Sequence, residues 1–508
     1  MITPTRGPAL YTATATHSTA TATWYLYSYR LSTKFPFGTA HSTTNHRNNA
    51  LFKLKLEDKL SSTTTYGEAG LPPKRSHVYC ADLDDCLKFI QSWSHKFLEL
   101  VSRKTPTLAD SEIIKFPASL RRALLTKQDG QDQEQEQDQE QEQEQEQDQK
   151  LAAWRHVVTC MLLAIHQCDI ALQGLPFATA GQAMIEVAVI SAVAQKFHVP
   201  TFSLLDIQNA HGIRPTFYTA SLNEDVQITI ESAAYGQQFT PHLKIKLNNN
   251  IEQTKNILQH LEEWCKNNNI LTHNTNNTDT NTNTNTNTNT NTNTNTNTNT
   301  NTNTNTNTNT NNTDRVMIQR KWCVDANCAW TPELALDMLN VLLPYKERIF
   351  MVEQPFPVET TLVGKTSEKI LRQWYDVKEK FNKVGLRIFA DESMRVASDL
   401  PQLVQLVNGV NIKMEKCGGY LGALDIAQQA TCMGLDLWIG CMVGSILNGN
   451  GAAQLVGLQG VVGSDLDGAA LVDEECQQWL SGGFAFVNGG IDVAQDGIGL
   501  NLKENYTL

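Results

Sequence analysis

No stretch of this 508-residue chain carries enough apolar residues in a row to span a bilayer. The best run, residues 183 to 194, is interrupted by Glu186 and falls short of the ~18 residues a spanning helix needs. No membrane-spanning segment is therefore expected. CxxC pairs are missing too: the 11 cysteines, an odd number, scatter from Cys80 to Cys476. That pattern suits free thiols in a reducing compartment, and a cytoplasmic location is expected from it. The chain also lacks a basic stripe. Its 41 Lys and Arg face 53 acids, but 10 of those acids lie in residues 129 to 148, so the remainder is close to neutral. A nucleic-acid partner has no electrostatic footprint here. No Asp or Glu precedes Glu57, and residues 1–30 are rich in Thr, Ala and Tyr. That segment reads either as a disordered extension or as an organellar targeting peptide.

What is present divides the chain in two. Residues 31–206 hold a strand pair, FKLKL then TTTYGEA, followed by helical segments, which reads as an α+β capping domain. From 207 to 508, short apolar strands alternate with helical patterns: VQITI, LKIKL, WCVDAN, IFMVEQP, RIFADES, GVNIKM, LDLWIGCM and GVVGSDLD. Thr331 with Pro332 marks one helix start ahead of Leu334, Met338, Leu339 and Leu342. Eight strand–helix alternations over ~250 residues predict a (β/α)8-type barrel. An open doubly wound sheet would need a Gly-rich phosphate turn after an early strand, and none is present. Only about twelve residues separate VQITI from LKIKL, which is short for a parallel crossover. Two biased tracts interrupt the pattern, Gln/Glu/Asp at 128–149 and Asn-Thr at 274–313. Neither can offset the entropy of ordering by burying apolar surface, so both are expected to be solvated loops.

Barrel enzymes place their chemistry at the C-terminal ends of the strands. In LKIKL, period-2 alternation sets Leu243, Ile245 and Leu247 against Lys244 and Lys246, and in GVNIKM it sets Val410 and Ile412 against Asn411 and Lys413. If the apolar faces pack on the outer helices, the lysines point inward. A lone lysine strand reads as a solvated edge, but a second weakens that reading. Asp325, Glu353 and Asp391 end three successive strands and can converge above the barrel. Three hard oxygen donors with no His or Cys beside them suit Mg²⁺. The spacing repeats: 28 residues from Asp325 to Glu353, 38 to Asp391 and 22 to Lys413. Lys246 to Asp325 spans 79, or 39 once the 40-residue Asn-Thr tract is set aside, so the tract interrupts an ordinary helix-to-strand connection on the face away from the site.

In combination, LKIKL, VDAN, VEQPF, ADES and NIKMEKCGG resemble the enolase superfamily, in its mandelate-racemase and muconate-lactonising branch. FPFGTAHSTTNHR and YGEAGLPP resemble the capping-domain strands of dipeptide epimerases, and SDLDG resembles the acid pair with which those enzymes hold a substrate's α-ammonium. The resemblance implies Mg²⁺ on Asp325, Glu353 and Asp391, acid/base lysines at Lys246 and Lys413, Lys244 near the substrate carboxylate, and Asp465 and Asp467 on the ammonium. It implies an isomerase that epimerises dipeptides by two-base proton transfer through an enediolate, with one lysine kept neutral by burial and neighbouring cations. It is compatible with a homo-oligomer. The alternatives are an N-acylamino acid racemase, an o-succinylbenzoate synthase, or an inactive homologue acting as a binding protein. The capping-domain loop shows Gly38, His41 and Ser42 rather than an arginine able to pair with a substrate γ-carboxylate, which counts against Ala-Glu as the substrate.

Overall fold

The computed structural model describes residues 8–59, 61–75, 81–103, 113–125, 139–168, 179–208, 214–268, 322–362, 366–487, 489–493 and 500–502. The architecture is an eight-stranded parallel barrel preceded by an antiparallel sheet with helices packed on it.

The first sheet runs β1 (Tyr11–His17), β2 (Ala20–Gly38), β3 (Thr43–Glu57) and β4 (Ser62–Ala69), each antiparallel to the next. The segment expected as a disordered or targeting extension therefore forms strands from Tyr11 onward, and residues 1–7 lie outside the described residues. The cause is period-2 alternation. In β2, Ala20, Ala22, Trp24 and Leu26 face inward while Thr21, Thr23 and Tyr25 do not. Trp24 packs edge-on against Trp93 and Phe97 of the helix Leu83–Val101, and its Nε1 donates to Ser94 Oγ at 2.9 Å. The acid tract differs from expectation as well, since the helix Gln139–Gln167 takes in its second half. Gln and Glu are good helix formers, and this turn of helix continues into the apolar segment that packs. The Asn-Thr tract lies outside the described residues.

After the two-residue β5 (Arg214–Pro215), the barrel comprises β6 (Tyr218–Ala220), β7 (Leu243–Lys246), β8 (Trp322–Asp325), β9 (Ile349–Glu353), β10 (Arg387–Ala390), β11 (Gly409–Ile412), β12 (Asp436–Gly440) and β13 (Val461–Asp465). Each pairs in parallel with the next. A parallel bridge between Thr216 and Ser464 brings the last strand back to the first, with Phe217 N donating to Ser464 O at 2.9 Å.

One barrel strand is not where the sequence suggests. VQITI is helical, part of Val226–Gly236, and the first strand is β6 instead. Asp225 caps that helix by accepting from Gln227 N at 2.9 Å. Thr229, Ser232, Ala233 and Gly236 then bury one helical face. The crossover from β6 to β7 is thus of ordinary length, and the apparent shortage of chain disappears.

Inside the barrel, Phe217, Cys323, Phe350, Met351, Phe389, Trp438 and Val462 form a separate buried cluster. The first sheet is fastened over the barrel mouth by buried carboxylates. Glu68 of β4 accepts from Asn49 Nδ2 at 2.7 Å and from the Ser445 hydroxyl, and burial pushes its pKa up to about 7. Glu415 accepts from Gly70 N at 3.0 Å and from Asn448 Nδ2 at 2.5 Å. These bonds fix the 70–75 segment over the strand ends. Among the described residues, no helix is long and apolar enough to cross a membrane.

Candidate active site

Strand register sets the site. Lys246 pairs with Asp325 across β7 and β8, Asp325 with Glu353 across β8 and β9, and Glu353 with Phe389 across β9 and β10. Asp391 and Lys413 follow directly after β10 and β11, and Asp465 ends β13 with Asp467 two residues on. All eight residues singled out from the sequence are buried and meet at the same end of the barrel.

Asp325, Glu353 and Asp391 are fully buried, and each offers an oxygen within 4.8 Å of the others. Ammonium groups crowd round them. Lys246 Nζ lies 2.6 Å from Asp325 Oδ2, Lys413 Nζ 2.7 Å from Asp391 Oδ2, and Lys416 Nζ 2.5 Å from Asp391 Oδ1. Lys244 pairs closely with Glu353 and lies 3.3 Å from Asp325. Burial raises the pKa of Asp325 and Asp391, but the lysines outweigh it and hold both well below the usual carboxylate range. Glu353 goes the other way. Burial, helped by Asp325 and Asp391, pushes it up to about 8 against the pull of Lys244. A buried, oxygen-only donor set that draws several cations to itself fits a hard divalent ion such as Mg²⁺.

Burial pulls Lys413 down, but Asp391 opposes it and the net shift is upward. The same balance holds for Lys244 beneath Asp465 and Glu353. The side chains facing these two lysines are mostly carboxylates.

Around the centre, Asn411 Nδ2 donates to Glu353 Oε1 at 2.6 Å. Gln354, held at φ 40°, accepts from Asp391 N at 2.9 Å and so braces the loop that carries it. Asn327, also at positive φ, donates its N–H to Asp325 Oδ1 at 2.9 Å. The acid pair of β13 divides its contacts. Asp465 accepts from Lys244 Nζ at 2.7 Å and Trp438 Nε1 at 2.6 Å. Asp467 Oδ2 accepts from Thr219 N at 2.5 Å, and burial with Asp465 beside it pushes the carboxyl up to about 6.

These groups floor a cavity, partly open to solvent, roofed by the first sheet and its loops. Lys244, Lys246, Lys413, Asp465 and Asp467 line it from the barrel, and Phe37, Arg47, Pro72 and Arg75 from above. His41 Nε2 donates to the Asn327 carbonyl at 2.6 Å and ties the 39–42 loop across the mouth, while burial lowers its pKa. Arg47, Arg75, Glu392 and Lys416 were not among the residues singled out from the sequence. Lys416 could have been found from its place in NIKMEK, but Arg47 stands on β3 in the polar run NHRNN and Arg75 lies outside any strand or helix, so no apolar periodicity reveals their facing.

A capped parallel barrel with a buried acidic triad at its strand ends and a lysine on either side defines a class of barrel enzymes. Residues 313–506 match the family described as "Enolase C-terminal domain-like". A Dictyostelium discoideum protein described as an enolase superfamily member is 32% identical over 94% of this chain and 95% of its own length. This chain belongs to the enolase superfamily. An L-Ala-D/L-amino acid epimerase of a Maribacter species is 29% identical over 34% of this chain, a match that spans 43% of that relative. The dipeptide epimerase of Cytophaga hutchinsonii, solved with Mg and the dipeptide D-Ala-L-Val, shares the fold, with a TM-score of 0.59, 16% identity and 97% of each chain covered.

Proposed function

We propose that this enzyme is an isomerase that epimerises dipeptides by two-base proton transfer. The observation that carries the reading is the placement of Lys246 and Lys413. In the strand order, β8, β9 and β10 separate β7 from β11 on one side, and β6, β13 and β12 separate them on the other. The two ammonium groups therefore approach the cavity from opposite walls, as removal of a proton from one face of a carbon and delivery to the other requires.

A divalent cation such as Mg²⁺, held by Asp325, Glu353 and Asp391, would supply the positive charge that stabilises a substrate carboxylate as its α-proton leaves. The chain's own residues do the rest. Lys244 adds a fixed cation beside that carboxylate. Lys246 takes the α-proton from one epimer and Lys413 delivers one to the opposite face, with the roles exchanged for the other epimer. A base must be neutral before it accepts a proton, so the pairing of Asp391 with Lys413 has to loosen before Lys413 can act as one. Asp465 and Asp467 provide the negative charge that an α-ammonium needs. Because Asp465 is occupied by Lys244 and Trp438, Asp467 is the better placed of the two, and an unmodified amino terminus suits the cavity better than an N-acyl group.

Incubating the purified protein with Mg²⁺ and a dipeptide library in deuterated water tests this. A mass gain of one at the α-carbon of particular dipeptides is expected. Exchange in N-acylamino acids with none in dipeptides would move the assignment to the N-acylamino acid racemases.

A further inference from the structure

Lys413 is the N-cap of a four-residue helix, Met414–Cys417, that follows directly on β11. So short a helix has no stability of its own, since isolated helices need ~12–15 residues, and its direction is set by what holds it. Toward the acidic centre it is held by Lys416, whose Nζ lies 2.5 Å from Asp391 Oδ1 and donates to the Asn411 carbonyl at 3.1 Å. At its far end Gly418, at φ 84°, and Gly419 pack on Gln182 and Glu186 of the helix Thr179–Phe197. Toward the roof of the cavity it is held by Glu415.

Glu415 is buried, and its Oε1 accepts from Gly70 N at 3.0 Å and from Asn448 Nδ2 at 2.5 Å, both neutral donors. The approach to Gly70 needs a bare backbone, because a methyl group there would lie 2.3 Å from Met442 Cβ and 3.0 Å from Glu415 Oε1. Gly70 leads into Pro72, Pro73 and Arg75, which line the cavity. One carboxyl group thus joins the segment over the cavity to the turn that carries a base. Asp391, 2.7 Å from Lys413 Nζ, aims that base while the two are paired. Once the pairing loosens, a lysine on its flexible four-carbon stem is directed by the backbone it springs from. Glu415, two residues on, anchors that backbone to the cap. Lys246 differs, because it lies within β7 and is fixed by ladder pairing with β8.

We infer that Glu415 is a positioning residue for Lys413: it ties the turn carrying this base to the roof of the cavity, and it serves one face of the substrate only. This rests on the reading of Lys413 as an acid/base group. The tie does not use the charge, since a single oxygen accepts both bonds and an amide oxygen can do the same.

The test uses the full chain with Mg²⁺ and both epimers of the dipeptide that exchanges fastest in the library screen. The epimer served by Lys413 is the one that Lys246→Ala still exchanges. In Glu415→Ala, kcat for exchange of that epimer should fall about 10- to 100-fold with KM little changed, the order of cost of a shift near 1 Å at a reacting group. Exchange of the other epimer should stay close to wild type, and Glu415→Gln should recover most of the loss. Asn448→Ala, which removes one of the two donors, should show the same one-sided loss to a smaller degree and takes the place of Glu415→Ala should that variant not fold. Equal loss for both epimers, no loss for either, or a Glu415→Gln variant as impaired as Glu415→Ala would overturn the inference. Should the wild type exchange no dipeptide, the epimerase reading falls, and acylation by acetic anhydride, followed by peptide mass spectrometry, decides the inference without turnover. Lys413 should then be acylated several-fold faster in Glu415→Ala than in the wild type, with Lys246 unaltered. An unaltered Lys413, or equal gains at both lysines, would overturn it.

Discussion

A methyl group added at Gly440 would lie 2.8 Å from Lys413 Cε and 2.5 Å from Asn411 Oδ1, closer than packed atoms tolerate. Gly440 ends β12, next to the strand that carries both residues, so its bare backbone is what leaves room for the lysine. Gly440→Ala should push Lys413 aside and lower kcat by ~10- to 100-fold while the protein stays folded, since a shift of about 1 Å at a reacting group has that order of cost. Steady-state rates together with circular dichroism check this, and full activity would mean that Lys413 is not critically placed. A second residue gives a pH signature. Glu186 is fully buried at the start of the helix Tyr420–Cys432, where Leu421 N donates to it at 3.4 Å, and burial pushes its pKa up to about 8. Its folded pKa is above its unfolded one, so its contribution is fully present below about 4.5 and is lost as pH rises through about 8. Melting temperatures of Glu186→Gln should therefore gain on the wild type as pH rises across that window and run parallel to it above. At this scale the sequence was legible where a strand pattern fixes facing. Lys244, Lys246 and Lys413 declared themselves by alternation, and the three acids by ending successive strands. Arg47 did not, because NHRNN is polar on both sides and shows no buried face.

Elements were legible in proportion to how far their pattern excluded alternatives. LKIKL, IFMVE and RIFA are too short and too apolar for anything but buried barrel strands, and they are strands. VQITI shows the limit of the method. Five residues of β-branched alternation satisfy the strand rule, yet Asp225 in front and ESAAYG behind supply a cap and a continuation that make a helix. β1 and β2 alternate Thr with Ala, side chains whose small apolar contrast makes a strand hard to tell from an extension. The connection between the helix Ile251–Asn267 and β8 enters that strand at Trp322, whereas Asp325 stands at its other end. Deleting residues 274–313 should thus leave kcat/KM and melting temperature nearly unchanged, because lengthening a surface connection adds little closure cost. Loss of activity in a folded deletion would show that the tract reaches the site.

The whole molecule makes its cavity from two bodies, with the lysines and acids below and Phe37, Arg47, Pro72 and Arg75 above. On the proposed reading, chemistry falls to the barrel and selection to the cap. If the acidic triad holds the proposed divalent cation, exhaustive chelation should abolish exchange and Mg²⁺ should restore it, with Glu353→Gln doing comparable damage. Turnover by protein shown to be free of metal would contradict that requirement. Opposed lysines are the central claim, and single-lysine variants test it most directly. Each epimer of a responsive dipeptide is incubated with Lys413→Ala or Lys246→Ala in deuterated water, and α-deuterium and configuration are read together. Each variant should fail to epimerise yet exchange the α-proton of one epimer only, and the two variants should choose opposite epimers. Substantial epimerisation by either variant, or exchange of both epimers by one of them, would contradict a two-base mechanism with Lys246 and Lys413 on opposite faces.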